Sequence, residues 1–198
     1  MISQQLVEKV ICDVREHVRN SKGYEQGPWV NPLVPADSVC AFTMAQSLIE
    51  RKIFDYCVAV APEGHAYGYF FERLGASVLG VHVDYPPRTC TVLDDLSPLR
   101  GQRVLILEDD VVSGLTLRLV VSALRPYRPR SLDLFLGRPK ADQLLENVPP
   151  KIGTIYVAED SLDPRLRAVY ESSFATFFAK MRGPWPSDAQ ARRNSPQQ

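Results

Sequence analysis

Three consecutive acids and the short turn after them are the part of this 198-residue chain best equipped for chemistry. The segment reads Arg103-Val104-Leu105-Ile106-Leu107-Glu108-Asp109-Asp110-Val111-Val112-Ser113-Gly114-Leu115-Thr116. Its Val-Leu-Ile-Leu run has the unbroken apolar character of a strand buried on both faces, as in a parallel sheet. Acids at the carboxyl end of such a strand stand where open α/β sheets hold their ligands. The turn from Val112 to Thr116 gathers backbone N–H groups, two hydroxyls and a helix N-terminus, which together make an anion site. Carboxylates beside an anion cradle suit a sugar phosphate. The acids reach ribose hydroxyls directly or through Mg2+, and the amides hold the phosphate. A buried strand running into a capped helix uses the same residue types, because Ser, Asp and Thr are good N-caps.

This segment resembles the phosphoribosyl-diphosphate (PRPP) motif of type I phosphoribosyltransferases: four apolar residues, two acids, a four-residue bridge, Gly, any residue, then Thr. Three acids in a row allow two frames. With Glu108-Asp109 as the pair, Asp110-Val111-Val112-Ser113 fills the bridge before Gly114. With Asp109-Asp110 the bridge is one residue short, so the first frame is preferred. The resemblance implies catalytic roles for Glu108 and Asp109, which would contact the ribose 2′- and 3′-hydroxyls. The same two acids would act on Mg2+ indirectly, through those hydroxyls or through water. It also implies substrate-binding roles for Asp110, Val111, Val112, Ser113, Gly114, Leu115 and Thr116, the last five forming the 5′-phosphate cradle. The implied activity is transfer of phosphoribose from PRPP to a nitrogen nucleophile, a nucleobase, with release of pyrophosphate and Mg2+ as cofactor. The resemblance extends, in order of elements, over roughly residues 39–157, and its specific motif is confined to 104–116.

A departing pyrophosphate needs a second anion loop, which the family places after an earlier strand. Val58-Ala59-Val60-Ala61-Pro62-Glu63-Gly64-His65-Ala66-Tyr67-Gly68 occupies that place. Glu63, Gly64 and His65 are its substrate-binding candidates. Gly64 and Gly68 allow close backbone approach, and a helix start favours anions. His65 has a donor for a phosphate, although a His there is often only a local hydrogen-bonding residue. Glu63 would repel pyrophosphate unless Mg2+ bridges the two. Asp84 ends the next strand where the family carries Lys or Arg. Arg88, within Tyr85-Pro86-Pro87-Arg88-Thr89-Cys90-Thr91, is the third catalytic candidate, as the cation of a covering segment. Fixed charges of this kind are normally a large catalytic factor, about 3 kcal/mol for one donor. Val112 stands where purine-salvage relatives carry an acid working on the ring. An apolar side chain cannot do that, which argues against a standard hypoxanthine–guanine enzyme. The basic, His-containing mobile loop of an orotate enzyme is also missing. Glu63, Asp84 and the cation-poor covering segment motivate an alternative, a non-catalytic PRPP or nucleotide sensor on the same fold. Nucleotide hydrolysis on this scaffold has no residue-level support.

The elements that must position these groups follow from periodicity. Leu6, Val10, Val14 and Val18 make an amphipathic first helix. Ser21 to Pro35 is a Gly- and Pro-punctuated loop. Asp37 or Ser38 caps a second helix reaching about Ile53, with Phe42, Ala45, Leu48 and Ile49 apolar. Tyr56–Ala61 is a buried strand, His65 to Leu74 a helix ended by Gly75, and Ser77 to Val83 a strand. Residues 85–101 are irregular or weakly extended. After the motif strand comes a helix with Leu117, Val120, Val121 and Leu124 on one stripe. Ser131–Leu136 and Ile152–Val157 are strands, and Pro164 to Met181 is a last helix. Alternating strands and helices imply an α/β fold, a mostly parallel sheet flanked by helices. This agrees with the phosphoribosyltransferase core, in which a small variable hood selects the base. Residues 1–38 are the candidate hood, and Tyr24–Trp29, Tyr156–Asp160 or Phe174, Phe177 and Phe178 are candidate stacking surfaces, the last more in keeping with core. One domain over residues 1–182 is expected, with a disordered tail from Gly183 onward.

Composition narrows the function classes. Hydrophobic content is 45% and the formal net charge zero, which gives no electrostatic case for nucleic acid or an anionic membrane. No apolar run is long enough to span a bilayer, and Met1-Ile2-Ser3-Gln4-Gln5 lacks the character of a signal peptide. Cys12, Cys40, Cys57 and Cys90 are scattered without a C-x-x-C pair, as reduced thiols of a cytoplasmic protein are. The apolar stripe of the first helix is a candidate homodimer surface.

Overall fold

Alternation along strand β1 (Tyr56–Ala61) assigns the helices to their faces. Successive side chains of a strand point to opposite sides, so Val58 and Val60 share one face, and Cys57, Ala59 and Ala61 the other. The computed structural model describes residues 4–23, 35–137 and 142–158, all within a compact unit spanning Met1–Ser161. Strands β2 (Val78–Asp84), β3 (Thr89–Val92), β4 (Arg103–Glu108), β5 (Ser131–Leu136) and β6 (Ile155–Val157) join β1 in one sheet of order β3-β2-β1-β4-β5-β6. Every pairing is parallel except β2 with β3. This is the mostly parallel, helix-flanked α/β sheet that the sequence implies. From β1 the chain crosses outward to β2, and β4 returns to the opposite side of β1. The carboxyl ends of β1 and β4 therefore frame a topological switch point, where such sheets open a ligand crevice.

Helix α4 (Leu115–Leu124) covers the face with large side chains. Its Leu117, Val120 and Leu124 pack into one core with Val58, Val60, Val81, Val83, Val104, Ile106 and Leu134. The opposite face, lined by Ala59, Ala61 and Gly80, admits helix α3 (Glu63–Arg73) at close range. Phe71 of α3 meets Phe135 edge-on with ring centroids 5.3 Å apart. Helices α1 (Gln4–Asn20) and α2 (Pro35–Glu50) lie beyond α3. On α1, Ile11, Val14 and Val18 are buried, Val10 is half-buried, and His17 abuts Tyr69 of α3.

Several boundaries differ from expectation. Helix α3 begins at Glu63, not His65, with Pro62 at its N-cap. Helix α2 ends at Glu50, where Lys52 takes a left-handed φ of 52° and turns the chain toward β1. Phe42, expected on the apolar side of α2, is exposed. Residues 85–101, expected to be irregular or weakly extended, contain β3 and a 3-10 turn at Ser97–Leu99. Thr-Cys-Thr-Val on a sheet edge is mostly exposed, so its sequence carries little apolar signal. The last strand is shorter than expected: residues 152–154 precede it without ladder pairing, and the Thr154 amide donates to Asp133 Oδ1 at 2.7 Å. A 3-10 helix at Asp142–Asn147 had no counterpart in the sequence reading. The helix expected at 164–181, the tail, Tyr24–Trp29 and Phe174–Phe178 lie outside the described residues. No helix among the described residues is long and apolar enough to cross a membrane.

Gly64 is where the two strand ends and α3 meet. A Cβ there would collide with the Leu107 carbonyl oxygen and press on the Ala59 backbone. Backbone cannot yield as a flexible side chain does, and overpacking of this kind costs about 1–3 kcal/mol or more. Gly64→Ala is therefore expected to lower stability by at least about 2 kcal/mol in urea unfolding. An unchanged midpoint would show that α3 does not sit against β1 and β4 as described.

Candidate functional site

A cleft of about 860 Å3 opens at the carboxyl ends of β1, β2 and β4. Its walls are the β1–α3 junction (Val60–Glu63), the end of β2 with the following turn (His82–Pro86), and the β4–α4 segment (Glu108–Gly114 with Thr116 and Leu117). Nine of the thirteen residues proposed from the sequence line it: Glu63, Glu108, Asp109, Asp110, Val111, Val112, Ser113, Gly114 and Thr116. Gly64, His65, Arg88 and Leu115 are not among its lining residues.

The β4–α4 turn is built by one conformational demand. Gly114 is the N-cap of α4 and has φ 68°, a left-handed conformation that side chains disfavour. A Cβ there would also strike the Asn147 carbonyl oxygen. The turn is held from outside as well. Asn147 Nδ2 donates to the Val112 carbonyl at 2.6 Å, and Arg118 Nη2 donates to the Ser113 carbonyl at 2.8 Å. With these carbonyls tied back, the amides of the first turn of α4 point away from them, as helix N-termini do in anion sites. Ser113 Oγ accepts the Leu115 amide at 3.3 Å, so this hydroxyl helps to shape the helix start. Val111 is buried in the α4 core and anchors the turn, whereas Val112 is 57% exposed.

The paired acids are unequal. Glu108 is the last residue of β4 and is 5% exposed; its Oε1 accepts the Asp109 amide at 3.1 Å, and its Oε2 has no partner among the described residues. Burial, reinforced by the Asp109 charge, pushes the Glu108 carboxyl well above its ordinary range. Asp109 and Asp110 are half-buried, and Asp110 Oδ1 accepts the Val111 amide at 2.7 Å. Across the cleft, burial raises the Glu63 carboxyl from 4.5 to about 7, with a smaller contribution from Asp109. No Lys or Arg is found among the described lining residues, whose charged side chains are the carboxyl groups of Glu63, Asp84, Glu108, Asp109 and Asp110, with His82 beside Asp84. Among the described residues, no three His, Cys, Asp or Glu side chains form a ready metal-ligand set.

His65 departs from the expectation of a phosphate donor. Its ring is buried between α3 and β2, its Nε2 has no partner among the described residues, and it lies 6.4 Å from the His17 ring. Burial, aided by His17, lowers its pKa to about 4 and keeps the imidazole neutral. Arg88 is exposed at the tip of the β2–β3 turn in a left-handed conformation, φ 67°, with its amide donating to the Asp84 carbonyl. Gly64 serves packing against β1 and β4.

Three cleft residues escaped the sequence reading as ligand groups. His82 and Asp84 share a face of β2, and His82 Nε2 lies 3.2 Å from Asp84 Oδ1. Tyr85, next along the chain, turns to the other side and hydrogen-bonds Thr116 Oγ1 through its phenol. Period-two alternation would have indicated both placements, since Tyr85 continues the face of Val81 and Val83. No sequence signal pointed to Asn147.

The structure is similar to several solved ones. A purine phosphoribosyltransferase from Pyrococcus horikoshii Ot3 matches with a TM-score of 0.49 and 18% identity, over 62% of this chain and 81% of that chain. A hypoxanthine-guanine phosphoribosyltransferase from Bacillus anthracis matches with a TM-score of 0.49 and 19% identity, over 64% and 78%. A hypothetical protein from Neisseria gonorrhoeae with bound ppGpp matches with a TM-score of 0.47 and 15% identity, over 67% and 89%. No protein-family model matches the chain, and no curated protein does.

The raised Glu63 carboxyl gives a pH dependence of defined sign. Its folded pKa, about 7, exceeds the ordinary 4.5, so the folded chain holds a proton that the unfolded chain releases. This contribution is complete below about pH 4.5 and is lost as pH rises through about 7. Glu63→Gln mimics the protonated acid. Its melting temperature should match the parent's near pH 4.5 and exceed it at pH 8, by on the order of 2 kcal/mol in stability. Equal melting temperatures at both pH values would contradict the burial described.

Proposed function

We propose that the cleft binds PRPP together with Mg2+ and transfers its phosphoribosyl group to a nitrogen nucleophile, a nucleobase, with release of pyrophosphate. The observation that carries this reading is the β4–α4 turn, in which a left-handed Gly114 sets a helix N-terminus beside Glu108 and Asp109 on one cleft wall. The first turn of α4, with the Thr116 hydroxyl, would receive the 5′-phosphate. Glu108 and Asp109 would meet the ribose hydroxyls, Glu108 with its unpartnered Oε2 from the cleft floor and Asp109 from the more open side. Anchoring the sugar at its phosphate fixes the anomeric carbon by contacts remote from the reacting bond.

Hard oxygen donors suit Mg2+, and the unpartnered oxygen of Glu108 is one such donor. Mg2+ usually keeps several waters and takes few protein carboxylates. Glu108 and Asp109 would hold it through water and ligand oxygens. When bound it neutralises pyrophosphate charge, which matters in a cleft lined by carboxyls. Glu63 would then face that charge, where without a cation it would repel it.

One observation favours a second reading, binding without transfer. None of the described lining residues is a Lys or Arg that could offset the leaving group's charge, a contribution normally worth about 3 kcal/mol of barrier. Calorimetric titration of PRPP with Mg2+, followed by a pyrophosphate assay with a panel of nucleobases, separates the two. Binding with release supports transfer; binding without release supports a sensor. No binding contradicts both. Asp109→Asn combined with Ser113→Ala should weaken PRPP binding at least tenfold, and unchanged affinity would misplace the site.

A further inference from the structure

We infer that Tyr85 is a positioning residue for phosphate binding, acting through Thr116; this rests on the proposed reading of the β4–α4 turn. Tyr85 follows the last residue of β2, and alternation along that strand carries it to the α4 side with Val81 and Val83. It is held there by a tight turn, closed by the Arg88 amide donating to the Asp84 carbonyl, with β3 pairing back in register from Thr89. Two prolines, Pro86 and Pro87, fix φ on either side of the turn's midpoint. Tyr85 and Pro86 both line the cleft. The phenol reaches across 31 residues of sequence to the Thr116 hydroxyl in the first turn of α4.

The chemistry of the pair assigns its direction. Each hydroxyl carries one proton and two acceptor lone pairs. A phenol is the more acidic of the two types and the better donor. With Tyr85 donating to Thr116 Oγ1, the Thr116 proton is released from that contact and can be directed to a phosphate oxygen. Were Thr116 to donate to Tyr85, its only proton would be withheld from the ligand. Tyr85 therefore polarises and orients Thr116, and a bond accepted by an anion strengthens the whole chain. Arg88, the cation of the same turn, lies outside the cleft lining, so the segment would contribute a neutral phenol where a charge was expected.

The test is calorimetric titration of ribose 5-phosphate into the full chain, Tyr85→Phe, Thr116→Ala and the double variant. The phenylalanine keeps the ring and removes only the hydroxyl. Ribose 5-phosphate has no pyrophosphate, so its affinity reads the 5′-phosphate cradle without requiring turnover. Tyr85→Phe is expected to weaken binding about five- to tenfold. Thr116→Ala should weaken it further, and the double variant should equal Thr116→Ala, because the phenol acts only through that hydroxyl. Tyr85→Phe binding as tightly as the parent, or tighter, would overturn the inference and indicate a phenol that merely occupies the cradle. Additive losses in the double variant would also overturn it, by giving Tyr85 a contact of its own. Failure of the parent chain to bind ribose 5-phosphate would instead remove the phosphate site itself, and the inference with it.

Discussion

One turn governs the site. At the end of β4 the chain leaves a fully buried strand and must start α4 within a few residues, and it does so through a left-handed Gly114. That conformation admits no side chain without strain, and the Asn147 carbonyl fills the space a side chain would need. Asn147 and Arg118 then tie back the carbonyls of Val112 and Ser113. Both the acids before the turn and the helix N-terminus after it owe their positions to this arrangement. Val111 carries the constraint into the core, since it packs with Leu117 of the same helix.

Charge is the second organising feature. A net charge of zero hides a cleft whose described lining carries five carboxyl groups and no Lys or Arg. Burial lifts Glu108 and Glu63, so that neutral acids relieve part of the repulsion that five ionised groups would create. The helix N-terminus supplies the favourable potential for a phosphate. A ligand bringing both phosphate and a divalent cation matches the two halves of this cleft better than a bare anion would.

Much of this was legible in the sequence. The four-residue apolar run before Glu108, and the Gly and Thr after it, located the β4–α4 turn because strand, turn and helix signals were strong and contiguous. Ser131–Leu136 was readable to the residue for the same reason. Edge strand β3 was not, since its mostly exposed residues give no apolar pattern. His65 misled because a helix start can turn a side chain toward the sheet as easily as toward the ligand; its burial against β2 is a tertiary fact. Arg88 stands at an exposed turn tip outside the cleft lining, a placement that a charged residue in a covering segment does not encode. Asn147 approaches the cradle from 33 residues beyond Gly114, a proximity that no local pattern encodes. Tyr85 was overlooked although the period-two rule was sufficient to place it.

The central claim is that a sugar phosphate seats on the first turn of α4. Amide proton and nitrogen shifts followed by NMR during a ribose 5-phosphate titration test it without assuming any reaction. Saturable changes confined to the amides from Ser113 to Thr116 and the neighbouring acids are predicted. Changes centred on the amino ends of the strands, such as Arg128 to Ser131, or no saturable change at all, would contradict it.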